Sequence, residues 1–436
     1  MKKIIALLTA LALTCCGLLD TEELILSNRR CEIGEWGGKK PGRKPSDIRE
    51  VSDTSVFITT MEFPDDYFWQ RDTAGESRVF NIVVYKDGEK FLSVKGGPET
   101  NISSDPDMNR FRNGHLYSDY SNGTETIISR DGREMFRYEG REMLCGFLAK
   151  GDDIYTLGQN RSGNGLSFRK NGKALFSAEN GSVIGDLYCP DSKGGGLHEV
   201  GNGDIVFYYQ IEGLSALLLK PHLFAVKNGV AEELTLDPKI SKIYDARIIS
   251  ETLYIACAEQ GFWKYPILYI GPRAISFAAS GYMIANCRLR RAGDEVYLKT
   301  DLSYDSWQSA ISAIWNSRGV QTDPGGVFIY EFYPESDHAA YVFTDNGGQN
   351  IKIRFTADDE HDYSFTSEPG YKFLGSGSAA ICGDRFYAGL ASMQEHGYPL
   401  VVYNGKASAL KINGFISEID IVTEGGAPPE NPEPSQ

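Results

Sequence analysis

The chain has 436 residues, 41% of them hydrophobic and 24% charged, enough to bury a large core and by length alone to make two or three ordinary domains. Its 59 acidic and 44 basic residues give a net charge of −15, which repels phosphate backbones and anionic surfaces and argues against nucleic-acid binding. No Gly-x-Ser-x-Gly elbow, P-loop or His-Glu-x-x-His occurs and the six His are scattered, so neither a metal nor a cofactor is expected.

Residues 1–16 run from Lys2-Lys3 through an apolar stretch, Ile4 to Leu13, to Thr14-Cys15-Cys16. A basic start, a short apolar run and small residues before a break describe a removable secretory signal, too short to span a bilayer as a mature helix. Leu13-Thr14-Cys15-Cys16 resembles a bacterial lipobox, with Cys16 as the lipidated residue and Cys15 as the second choice. The competing expectation is a plain signal peptide and a secreted, soluble product. Several acyl chains on Cys16 would hold the protein stably, since one chain binds only marginally. The expected location is therefore the cell envelope, anchored at the outer membrane on its periplasmic or surface side, with the anchor as the only membrane contact.

Residues 17–52, with Gly, Pro and charge from Trp36 to Pro45 and no apolar period, read as a flexible tether, and residues 424–436 as a disordered tail. Between them lies one domain, residues 53–423. There a short pattern returns: a small residue, an acid, any residue, an apolar residue and Tyr. It stands at Gly151-Asp152-Asp153-Ile154-Tyr155, Gly293-Asp294-Glu295-Val296-Tyr297 and Gly383-Asp384-Arg385-Phe386-Tyr387, with Ser250-Glu251-Thr252-Leu253-Tyr254 close to it. Looser copies end at Tyr117, Phe207 and Tyr341, and the aromatic positions are 38 to 52 residues apart.

About seventeen residues after each aromatic comes an alternating run broken by a two-residue turn. Asp87-Gly88, Asp131-Gly132, Asn171-Gly172, Asn228-Gly229 and Asn404-Gly405 suit a type I′ turn, whose two central residues both need positive φ. Gly271-Pro272, Arg318-Gly319 and Asp358-Asp359-Glu360 fill the remaining places, making eight turns spaced 40 to 57 residues apart. Each unit holds four short runs rich in Val, Ile, Tyr and Phe, such as Met143 to Leu148, Asp153 to Leu157, Leu166 to Lys170 and Ala174 to Ala178.

Four strands repeated at this period predict an all-β chain, a β-propeller of eight four-stranded blades, with seven the alternative count if one unit is irregular. The run Phe415 to Val422 looks like a first strand with nothing after it, and the unit beginning at Thr54 lacks an innermost strand. N- and C-terminal strands are thus expected to share one blade and close the ring. Cys31, Cys145, Cys189, Cys257, Cys287 and Cys382 read as small buried core residues; an export compartment would permit disulfides, whose partners the sequence does not select.

The repeats resemble lipoprotein propellers of Bacteroidota type, whose blades read roughly Asp-Val-Tyr-Val-Ala-Gly followed by Tyr-Trp-Lys-Asn-Gly. The matching stretches are Asp153 to Gly158 with Phe168 to Gly172, and Arg385 to Gly389 with Val402 to Gly405. This resemblance implies architecture only; the family is of unknown function and brings no catalytic residues.

In an antiparallel four-stranded meander the first and third turns share one end, and the second turn shares the other with the link to the next blade. First and third turns are short here, apart from a first turn of the fourth unit expected to be lengthened by Pro190 to Gly203. Function is therefore expected on the opposite, loop-rich face. Second-turn loops there hold Tyr67, Trp69 and Arg71, then Trp263 and Tyr265, then Tyr304 and Trp307, and His396 with Tyr398. Aromatic faces beside polar groups suit sugar rings, suit a protein interface, or cap the grooves between blades.

Two functions stand. One is a non-catalytic, monomeric envelope module that binds a glycan or partner protein through the loop-rich face. The other is a carbohydrate-active enzyme, a glycosidase or polysaccharide lyase, with side chains such as Asp65, Asp66, Glu259, Asp301 or Tyr304 converging at the channel mouth. The acid run Asp358 to Asp362 falls where a hairpin turn is due and reads as solvated.

Overall fold

The computed structural model describes residues 54–63, 80–96, 109–121, 124–140, 142–160, 165–184, 196–200, 203–211, 221–249, 252–259, 266–277, 283–292, 295–303, 310–319, 328–335, 338–344, 350–356, 362–374, 376–394 and 397–423. The third blade shows how local sequence makes the unit. Glu142–Lys150, Asp153–Asn160, Leu166–Lys170 and Lys173–Ala178 pair antiparallel in chain order. Successive side chains in these strands point to opposite faces, and both faces of the three inner strands are covered, so they read as nearly continuous apolar runs. The outermost strand, Lys173–Ala178, is largely exposed.

Eight such sheets follow one another. The second blade spans Asn109–Arg112 to Arg133–Glu139, the fifth Ile240–Ile249 to Arg273–Ser276 and the seventh Ile329–Glu335 to Asp362–Thr366. The sixth has three described strands, Met283–Ala292, Glu295–Ser303 and Ala310–Asn316. The first blade joins the two ends of the chain: Gly414–Thr423 is its innermost strand and pairs with Thr54–Glu62 from Thr54↔Thr423 to Glu62↔Gly414. Phe80–Lys86 and Glu89–Gly96 complete it. The shared closing blade and the count of eight are as the repeat predicts.

Closure is visible in the core. Eight hydrophobic clusters lie one at each junction of successive blades, including eighth against first, where Val56, Ile58, Ile416 and Ile419 meet Tyr387 and Val401. Strand alternation distributes one strand between two junctions: Phe207 and Tyr209 pack toward the third blade, Val206 and Tyr208 toward the fifth. Each fully buried large apolar side chain contributes about 1.5–3 kcal/mol, so a blade isolated from its neighbours would lose most of its stabilisation.

The two repeated sequence signals meet in space. In the third blade the Ile154 N–H donates to Asn171 Oδ1 at 2.8 Å while the Asn171 N–H donates to the Ile154 carbonyl at 2.8 Å. The same reciprocal pair joins Val56 to Asp87, Leu116 to Asp131, Ile205 to Asn228 and Phe386 to Asn404. All five Asx residues have φ between 40° and 52°, and the following glycines between 77° and 89°. An Asx is needed because its short side chain tolerates this conformation and also reaches the start of the second strand. Asn113-Gly114 forms a further turn of this kind, in the first-turn place of the second blade.

The innermost strands differ from the sequence expectation. An extra residue bulges from the register at Cys145, Ser241, Tyr244, Ala285, Tyr330 and Ser417. In the fourth blade the insertion sits at such a place and does not lengthen the first turn: Ile184 pairs with Tyr208, and His198 with Val206. The first turn itself is tight, with the Val200 N–H donating to the Asp204 carbonyl. In the eighth blade Tyr371–Lys372 and Ala379–Cys382 are likewise two pieces of one interrupted innermost strand. The channel edge of an innermost strand has no further strand to pair with, so residues inserted there break only one ladder.

Candidate functional site

Five third turns of the short-turn face are latched to the second strands of their own blades, and the longer second-turn connections open on the other face, where a site is expected. The second-turn loops that hold the expected aromatic residues spring from the first, fifth, sixth and eighth blades, between Phe63 and Phe80, Glu259 and Pro266, Ser303 and Ala310, and Ser392 and Leu400. Blade order sets them in two neighbouring pairs, fifth with sixth and eighth with first. Tyr67, Trp69, Arg71, Trp263, Tyr265, Tyr304 and Trp307 themselves lie outside the described residues, as do Cys16, Asp65, Asp66 and His396. Tyr398 is described and is 47% exposed at the rim. Trp315, the one Trp among the described residues, is buried between fifth and sixth blades with its ring 5.0 Å from that of Phe277.

Charged groups line the blade junctions toward the channel, and they are committed to one another. Glu331 accepts from Arg290 at 2.7 Å and from Arg288 at 3.3 Å. Burial pushes the Glu331 carboxyl up, but Arg290, Arg288 and Lys299 outweigh it and hold the group well below the usual carboxylate range. Asp245 accepts from the Leu289 N–H at 2.8 Å and pairs with Arg247. Asp301, a candidate acid in the sequence, is 9% exposed and is held by Lys299 at 2.8 Å and by the Ser312 hydroxyl at 2.7 Å. It serves as a structural ion-pair partner, because the buried Lys299 needs a counter-charge. The side chain of Glu259 lies outside the described residues.

Sequence reasoning did not anticipate the ion pair of the third blade. Arg169 on the third strand makes a bidentate pair with Glu142 on the first, at 2.6 and 2.9 Å, and its guanidinium lies 3.8 Å from the Tyr138 ring of the second blade. Glu142 reaches across the intervening strand because Gly158 has no side chain; a methyl there would overlap its carboxylate. Gly158 was visible as the glycine ending the Asp153 to Gly158 motif, but its partner could be found only in three dimensions. His198 lies beside Arg247 and Asp245 of the fifth blade; burial, then Arg247, pull it down to about 4, with Asp245 opposing them. It is thus neutral at pH 7.

A groove of about 380 Å³ opens where the fourth blade meets its link to the fifth, lined by residues including His222, Glu233, Leu236 and Asp237. His222 Nδ1 lies 2.6 Å from Glu233 Oε1 there, with both side chains more than half exposed. No grouping of metal-ligating side chains occurs among the described residues. Cys145, Cys257 and Cys287 are buried and Cys382 is partly exposed; burial pushes the Cys287 thiol up to about 12. Cys31 and Cys189 lie outside the described residues.

No family model and no curated protein matches the chain. Solved structures match in fold. The β-propeller domain of the Trilobed protease from Pyrococcus furiosus, described as having an open velcro topology, is 10% identical with a TM-score of 0.41, covering 72% of this chain and 94% of that one. A prolyl endopeptidase is 8% identical with a TM-score of 0.43, covering 72% of this chain and 50% of that one. An ulvan lyase of a new polysaccharide lyase family is 9% identical with a TM-score of 0.35, covering 71% of this chain and 81% of that one. The chain thus spans half the length of the prolyl endopeptidase it matches. It is a β-propeller of eight blades.

Proposed function

We propose that the protein is an envelope lipoprotein, anchored through Cys16, whose loop-rich propeller face binds a glycan or a partner protein without transforming it. The observation that carries this reading is the gathering of aromatic residues into second-turn loops of four blades, all opening on one face, while the opposite face is closed by short turns. Aromatic rings beside Arg and acidic residues suit both sugar stacking and hot-spot anchoring.

The carbohydrate-active alternative has less support, since one of its candidate acids, Asp301, is tied to Lys299 and Ser312. Trp69→Ala, Trp263→Ala, Trp307→Ala and Tyr398→Ala should each weaken capture on a glycan array or by envelope partners while leaving thermal unfolding unchanged. Full binding by the quadruple variant would end this reading. Release of cleaved product from a bound polysaccharide would establish the alternative.

A further inference from the structure

We infer that the short-turn face is the one held toward the membrane, so that the loop-rich face is presented outward to partners that approach from beyond the bilayer. The inference rests on the lipoprotein reading above and adds an orientation to it. Its basis is where the described chain starts and stops. Thr54 opens a second strand and Thr423 closes a first strand, and the two are directly paired across the first blade. Both therefore lie at the end of the blade where the Asp87 turn is latched to Val56, which is the short-turn face.

The segment that leads back from Thr54 to Cys16 thus leaves from that face. As a coil, a tether of the length of residues 17–52 spans roughly 30 Å, comparable to the roughly 30 Å height of a strand of eight to ten residues. A link of that reach, attached at one end of the ring, keeps that end nearer the anchor than the other.

The surface composition of this face agrees. Four of the six exposed large apolar side chains among the described residues, Met135, Leu175, Val230 and Val422, lie within three residues of its turns or strand ends. The chain's net negative charge would oppose an anionic bilayer, yet at this face bases near the third turns pair with acids that open the second strands of the same blades: Lys170 with Asp153, Lys227 with Asp204 and Arg318 with Glu295. Arg130, Arg133, Lys173 and Lys406 stand exposed beside the turns of this face. Local neutralisation removes much of the repulsion that the whole-chain charge would impose.

The test uses the full-length lipidated protein on vesicles of phosphatidylethanolamine and phosphatidylglycerol carrying a headgroup energy-transfer acceptor. Donor dyes are placed one at a time through Lys173→Cys or Lys406→Cys on the short-turn face, and through Tyr398→Cys or Glu233→Cys on the other, in a Cys31→Ser, Cys189→Ser, Cys382→Ser background. Transfer several-fold stronger from Lys173→Cys and Lys406→Cys is expected. Equal transfer from both faces, or stronger transfer from Tyr398→Cys, overturns the orientation while leaving partner binding to be judged by its own assay. An intact mass lacking acyl chains overturns the anchor reading and the orientation with it.

Discussion

Glu418, in the last strand of the chain, accepts a hydrogen bond from the backbone N–H of Phe111 at 2.9 Å, across 307 residues of sequence. Its other oxygen takes Arg112 at 2.9 Å, and the carboxyl is only 4% exposed. Asp245 makes the equivalent bond to the Leu289 N–H between fifth and sixth blades, on the other side of the ring. A buried carboxylate thus ties the closing blade to the next one.

Glu418→Ala strands a backbone donor and the Arg112 charge, and should cost about 3–5 kcal/mol in urea unfolding. Glu418→Gln keeps an acceptor and should cost less. A loss below about 1 kcal/mol for the alanine variant would mean that the closing junction is held by apolar packing alone.

The turn glycines separate backbone strain from blade packing. Gly88 (φ 86°) and Gly172 (φ 78°) share one backbone conformation, but a methyl at Gly88 meets nothing within 4 Å, whereas at Gly172 it would meet Phe136 of the preceding blade at 3.0 Å. Gly88→Ala should cost about 1–2 kcal/mol of conformational strain, and Gly172→Ala a further 1–3 kcal/mol or so of overpacking. Equal shifts in melting temperature would show that the neighbouring blade gives way freely.

Removing one partner of the Glu142–Arg169 pair leaves a buried charge uncompensated. Glu142→Ala should destabilise by about 3–5 kcal/mol, while Glu142→Met with Arg169→Met together should recover most of that loss. A double variant no better than the single one would assign the cost to the Arg169 contact with Tyr138.

His198 makes stability depend on pH in a defined window. Its folded value is about 4 against an ordinary 6.5, so between these pH values the unfolded chain binds the extra proton. Its contribution is therefore fully present above pH 6.5 and is lost as pH falls toward 4, by on the order of 3 kcal/mol at the acid end. Urea midpoints of His198→Gln should fall less than those of the unaltered protein between pH 6.5 and 4. Parallel curves would count against this assignment.

The period, the Asx-Gly turns and the shared blade were legible because each depends on residues near one another in sequence. A turn needing two positive φ angles selects Asn-Gly or Asp-Gly whatever surrounds it, and the five strong cases all form. The place of the fourth-blade insertion was not legible. Pro190 to Gly203 looks like a longer hairpin, and only the pairing of Ile184 and His198 on either side of Phe207 puts the extra residues inside the strand. Asp301 read as an open acid although Lys299 stands two places before it on the same face of one strand; only Ser312 is brought beside it by strand pairing. Among the expected ligand-binding residues only Tyr398 lies among the described ones.

The pairing of Gly414–Thr423 with Thr54–Glu62 also sets an order of events in time. Chain entropy opposes that contact only weakly once the intervening blades have stacked, because closure cost grows slowly with loop length. The missing piece is the strand itself, which follows every other strand of the propeller in sequence and is made after them. Until then the first blade offers a bare inner edge to whatever strand comes near. A ribosome stall or truncation before Gly414 should therefore yield a chain that is seven-eighths assembled and prone to pairing with its own copies.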